Sequence, residues 1–133
     1  MRHASLVALL LVAGCGDTIV NNLPPTAPTT PPAVVRTVIE FRVQGNASSV
    51  RVRYSSPLDG LAQVVTSLPY FNSFTTTADS MFLSLEAAPL TYPTIITSPF
   101  LAVQIVAGGV MFREATSNDF FFVPLQASGT WRR

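Results

Sequence analysis

Few side chains in this 133-residue chain are suited to covalent or acid–base chemistry: one cysteine, Cys15, one histidine, His3, and seven carboxylates. A thiol attacks through its thiolate, and an imidazole serves most often as general base or metal ligand. Both lie within the first fifteen residues. The acids Glu40, Asp59, Asp79, Glu86, Glu114 and Asp119 are scattered singly along the rest. Hydrolysis by paired carboxylates needs two acids that converge, which for acids so spaced only the fold can bring about. Asp59 precedes Gly60 and Asp79 precedes Ser80, which reads as turn chemistry.

The surroundings of Cys15 give it a role. Arg2 and His3 are followed by Ala4-Ser5-Leu6-Val7-Ala8-Leu9-Leu10-Leu11, too short for a hydrocarbon core that takes about 20 helical residues. It has the dimensions of the apolar part of an export signal. The next four residues, Val12-Ala13-Gly14-Cys15, resemble the bacterial lipobox. Small Ala13 and Gly14 admit the chain to a signal peptidase, and the Cys15 thiolate takes a diacylglyceryl group as a thioether. Residues 1–14 are then expected to be removed, leaving the protein held to a membrane through Cys15. Each buried methylene contributes about 0.8 kcal/mol, so two or three acyl chains anchor stably where one does not. Loss of His3 and acylation of Cys15 leave no Ser-His-Asp triad, no histidine metal site and no free thiol. Neither an enzymatic activity nor a cofactor is expected. Gly16 follows the cysteine, and the aspartate associated with inner-membrane retention stands one place later, at Asp17. In a two-membrane host the expected address is the outer membrane, facing the periplasm.

Residues 15–35 form the lipid-bearing cysteine and a spacer. Prolines 24, 25, 28, 31 and 32 oppose helix and strand pairing alike and favour extended polyproline II. Only 11% of the chain is charged, against 48% hydrophobic, and the formal charge is +1. Every basic residue is arginine. Nucleic acid is excluded as a partner, because phosphate binding needs a clustered excess of cations.

From Arg36 to Arg133 the apolar period is two, the mark of half-buried strands. Ile39, Phe41 and Val43 share one face, as do Val50, Val52 and Tyr54. A turn at Gly45-Asn46-Ala47-Ser48 is expected to pair these runs as a hairpin, Val43 with Val50 and Phe41 with Val52. That register sets Arg42 opposite Arg51 and Glu40 opposite Arg53. Strands follow over Leu61 to Ser67, around Phe74 to Thr77, and over Met81 to Glu86 with Met81, Leu83 and Leu85 inward. Phe100 to Val106 and Val110 to Ala115 close across Gly108-Gly109, a favoured two-residue turn. In register, Gln104 faces Arg113 and Glu114 falls on the core side, unless a bulge intervenes or Glu114 lies at the rim. Phe120 to Ala127 is the last strand. Tyr70, Phe74, Phe82, Phe100 and Trp131 are expected in the core. Strands this short and this close predict an all-β sandwich of about seven strands in two antiparallel sheets.

The ordered set Glu40-Phe41-Arg42-Val43, Ser49-Val50-Arg51-Val52-Arg53-Tyr54, Ser67-Leu68-Pro69-Tyr70, Phe82-Leu83-Ser84-Leu85 and Val103-Gln104-Ile105-Val106, with Gly108-Gly109 and Glu114-Ala115, resembles the MmpS transport-accessory family. The resemblance implies an Ig-like sandwich outside the cytoplasmic membrane, serving export beside a large transporter. Mycobacterial members carry a spanning helix where this chain has its lipobox, and a cysteine pair where it has Val103 and Val123. They also have a shorter connection in place of Ala88 to Pro99.

That connection supplies the candidate contact residues. Leu90, Tyr92, Ile95 and Ile96 lie there among three prolines, and apolar groups on a stiffened loop lose little entropy on docking. Leu90 and Tyr92 are the candidates for partner contact, while Ile95 and Ile96 either join them or cap the sandwich. Phe121, the middle of Phe120-Phe121-Phe122, must face opposite its neighbours and is a third candidate. Arg42, Arg51 and Arg53 read either as a site for acidic headgroups or as a solvated face. The reading is a lipid-anchored envelope interaction domain whose partner is a transporter or another envelope protein. The alternatives are a binder of an apolar small molecule or lipid, and an enzyme using carboxylates alone.

Overall fold

The computed structural model describes residues 27–57, 60–95, 98–119 and 123–133. Its contacts divide the chain into Met1–Pro32 and Ala33–Arg133. Of the first unit only residues 27–32 are described; they are exposed and belong to no strand or helix.

The second unit holds eight strands among its described residues: β1 (Thr37–Gly45), β2 (Ser49–Ser56), β3 (Gly60–Thr66), β4 (Tyr70–Thr76), β5 (Ser80–Thr91), β6 (Leu101–Ala107), β7 (Val110–Ser117) and β8 (Leu125–Arg132). They form two four-stranded sheets, ordered β4-β1-β6-β7 and β3-β2-β5-β8, in which every pairing is antiparallel. The expected all-β sandwich is present, with eight strands where about seven were anticipated. The Leu68–Pro69 peptide between β3 and β4 is cis.

Alternation does what the sequence requires. Ile39, Phe41, Val43, Val50, Val52, Leu83, Leu85, Val103 and Ile105 are all fully buried, and each such side chain contributes on the order of 1.5–3 kcal/mol when removed from water. Tyr54 and Met81 are partly exposed and pack against this core. Phe41 is its aromatic centre, with ring centroids 5.4 Å from Tyr54 and 5.8 Å from Phe74.

Partners differ from expectation where faces do not. β1 and β2 lie in different sheets, so they form no hairpin; β1 pairs with β4 and β6, and β2 with β3 and β5. The inward sets of both strands are buried all the same, because alternation assigns a face without assigning a partner. Arg42 therefore stands beside Phe71 and Gln104, and Arg53 beside Gln63 and Glu86.

The β6–β7 hairpin does close at Gly108-Gly109, but the register shifts between Ile105 and Val106. Arg113 then falls opposite Ile105, and Gln104 opposite Glu114. The bulge is what moves Glu114 off the core side, and Gln104 Nε2 donates to its Oε1 at 2.6 Å.

The last strand runs later than expected, from Leu125 to Arg132, with Ala127 and Trp131 buried. β5 is longer than expected and takes up Ala88 to Thr91. Pro89 is tolerated there because β8 stops pairing at Ala87–Leu125, leaving no ladder bond to lose on that side. Phe82 is 62% exposed; inward Leu83 forces its neighbour outward. Phe100 is also exposed, just before β6 begins.

Candidate interaction surface

Strand pairing determines which loops share an end. The chain enters β1 at Thr37, and the Gly108-Gly109 turn lies at that same end, where Gly108 N–H donates to the Val38 carbonyl at 2.8 Å. Arg133 also ends there, its N–H donating to the Asp79 carbonyl at 2.8 Å. The opposite end gathers the Gly45–Ser49 connection, the β3–β4 connection, the stretch between β5 and β6, the end of β7 and the start of β8.

At this opposite end two of the connections that cross between the sheets, β1–β2 and β5–β6, are fastened to each other. Asn46 is the fastener. Its Oδ1 accepts from Phe100 N–H at 2.8 Å, its Nδ2 donates to the Ser98 carbonyl at 2.7 Å, and its own N–H donates to the Phe100 carbonyl at 3.1 Å. Ser48 N–H adds a bond of 2.9 Å to the Thr91 carbonyl. Gly45 allows the approach, because a Cβ there would overlap the Phe100 carbonyl oxygen. An asparagine side chain that both donates and accepts mimics a strand partner, so a stretch without regular pairing is held at its base.

Three apolar side chains are exposed here: Leu90 near the end of β5, and Ile95, at 91%, and Phe100 on the connection that follows. Ile95 does not cap the sandwich. Tyr92 is partly buried and packs on the core, and burial pushes its phenol above the ordinary value. Of the two loop candidates from sequence, Leu90 is presented to solvent and Tyr92 belongs largely to the interior. Val12, Ala13, Gly14, Cys15, Ile96 and Phe121 lie outside the described residues. Sequence reading missed Asn46 as a fastener, since Gly45-Asn46 reads equally well as an ordinary turn; Phe100 was assigned to the core.

The arginines do not cluster. Arg42 is on one sheet, where its guanidinium donates to Glu40 of its own strand. Arg51 and Arg53 are on the other. Arg53 Nε donates to Gln63 Oε1 at 2.7 Å, and its Nη1 lies 3.7 Å from Glu86 Oε1. Arg51 sits between Val65 and Ala88, its Nε shielded and unbonded. Asp79 pairs with Arg133 at 3.3 Å. Among the described residues no three His, Cys, Asp or Glu side chains gather closely enough to hold a metal ion.

Two hollows open at the surface. One of about 340 Å³ is lined by Glu40, Phe71, Asn72 and Ser73. The other, about 260 Å³, is lined by Ser117, Asp119, Val123, Pro124 and Leu125. No protein-family model and no curated protein matches this sequence.

Proposed function

We propose that this protein is a lipid-anchored interaction domain of the bacterial envelope, non-catalytic, which presents one end of its sandwich to an envelope protein such as a transporter. The observation that carries the reading is the exposed apolar set of Leu90, near the end of β5, with Ile95 and Phe100 on the connection that follows, which Asn46 fastens at Ser98 and Phe100. Apolar side chains on a stretch already held in place dock with little further loss of entropy. A tether at Cys15 reaches the sandwich through Thr37, so this set occupies the end opposite the tether's point of entry. The lipobox-like Val12-Ala13-Gly14-Cys15 supports the anchor, and the resemblance to MmpS accessory proteins supports a transporter as partner. Binding of an apolar ligand between the sheets has less support, because the side chains that face that space fill it.

The test has two arms. Cys15→Ser should abolish incorporation of labelled fatty acid and release the protein from membranes; label retained on the variant would sink the anchor. Leu90→Ser with Ile95→Ser should leave the melting temperature within a few degrees, as for exposed substitutions of at most about 0.5 kcal/mol each. A photo-crosslinker at Ile95 should join the protein to an envelope partner in cells, and the double serine variant should lose that adduct. A crosslinker at outward Ser84 giving the same adduct would move the interface to the sheet face.

A further inference from the structure

A sandwich exposes four edge strands, each with a row of unpaired backbone N–H and C=O groups that invites another strand. Here the two margins are treated differently. On one, β7 and β8 pack against each other. Arg113 lies 4.6 Å over the Phe112 ring, and both side chains press on Gly129, where a Cβ would come within 3.0 Å of Arg113 Nε. This margin also carries Glu114, Arg132 and the β7 bulge. Charges and bulges are the usual protection of an edge.

The other margin has none of these. β3 reads Gly-Leu-Ala-Gln-Val-Val-Thr and β4 reads Tyr-Phe-Asn-Ser-Phe-Thr-Thr, with no charge and no proline. Their pairings with β2 and β1 run without a register shift. β4 is set apart from β3 by its aromatics, Tyr70, Phe71 and Phe74; beside it a hollow of about 340 Å³ is lined by Phe71, Asn72, Ser73 and Glu40. Glu40 stands opposite Ser73 on β1, so this hollow lies over the outer face of β4 and β1, beside the edge rather than along it. Phe71 is 59% exposed there.

We infer that β4 is a self-association edge: two copies of this chain join β4 to β4 in antiparallel fashion about a two-fold axis at Ser73, making one continuous eight-stranded sheet. The strand is complementary to its own reverse. With Ser73 opposite Ser73, Phe71 faces Thr75 on the outer side, while Tyr70 faces Thr76 and Asn72 faces Phe74 on the inner side. Aromatic rings against β-branched threonine are favourable cross-strand pairs. No like charges meet anywhere in the seven residues, which is what an isologous contact demands.

Sedimentation velocity of the full chain in mild detergent over a wide concentration range should show a monomer–dimer equilibrium. Ser73 is exposed and outward, so Ser73→Lys should leave the melting temperature unchanged while placing two ammonium groups opposite each other. That should weaken the dimer by about tenfold or more, whereas Ser73→Thr keeps it. Paired residues in an antiparallel ladder have Cα atoms about 4.5–5.5 Å apart, within disulfide reach. In a Cys15→Ser background, Ser73→Cys should therefore give a covalent dimer on mild oxidation, and Val65→Cys on β3 should not. A chain that stays monomeric at every concentration overturns the proposal, as does a dimer indifferent to Ser73→Lys or one crosslinked through Val65→Cys.

Discussion

The β1–β2 and β6–β7 connections are both short and both contain glycine, yet one carries the chain across the core and the other turns it back within a sheet. Gly108 and Gly109 both have positive φ, 58° and 80°, the geometry of a turn whose twist suits adjacent strands. Nothing lies within 4 Å of a Cβ built on Gly109, and one on Gly108 would meet only the Thr37 methyl, at 3.6 Å. Gly45 is needed for a different reason. It lies against the backbone of Phe100 and Leu101, and the asparagine after it bonds to that same stretch. The hairpin is a local structure that its own residues specify. The crossing is a tertiary structure, specified by a segment more than fifty residues away.

The most direct way to break this comparison is a distance. Spin labels at Arg42 and Arg51 would sit about 5 Å apart at the backbone in a β1–β2 hairpin. On opposite outer faces of a sandwich whose sheets pack about 10 Å apart, they should be separated by well over 10 Å. A distribution centred at short distance would restore the hairpin.

Next in size is a pair of glycine substitutions. Gly45→Ala sets a methyl group against backbone that cannot yield, and should cost about 2–3 kcal/mol. Gly109→Ala keeps its space and pays only for a left-handed conformation, about 1 kcal/mol. Urea denaturation of the two variants ranks them, and equal costs would mean that the crossing is no more constrained than the turn.

Asn46→Ala should have a smaller effect. It removes two side-chain hydrogen bonds near the surface, about 1–2 kcal/mol together. The sharper readout is hydrogen exchange: the Phe100 amide should lose protection while amides of the Gly108-Gly109 hairpin keep theirs. Protection lost equally in both places would indicate general destabilisation rather than release of the fastened connection.

Much of the sandwich is legible along the chain because alternation is a local property. Any strand containing Ile39, Phe41 and Val43 must bury that set, whichever partner it takes, and the same holds for Leu83 and Leu85. The Gly108-Gly109 turn and the choice of an all-β architecture follow from equally local features. Leu90, expected at the surface from its place between Pro89 and Pro93, is exposed. The bulge at Ile105–Val106 was one of two ways to relieve Glu114, and composition does not choose between them.

What only the tertiary structure decided is who stands beside whom. Alternation assigns a face but carries no information about which strand lies at either edge, so β1 pairs with β4 and β6 rather than with its neighbour β2. That choice separates Arg42 from Arg51 and dissolves an apparent cluster. It also gathers Asn46 with Ser98 and Phe100 at the end opposite Thr37, and draws Tyr92 onto the core while leaving Ile95 in solvent. Hydrogen bonds between residues 52 and 54 positions apart depend on how both sheets pack, and no window along the chain contains both partners.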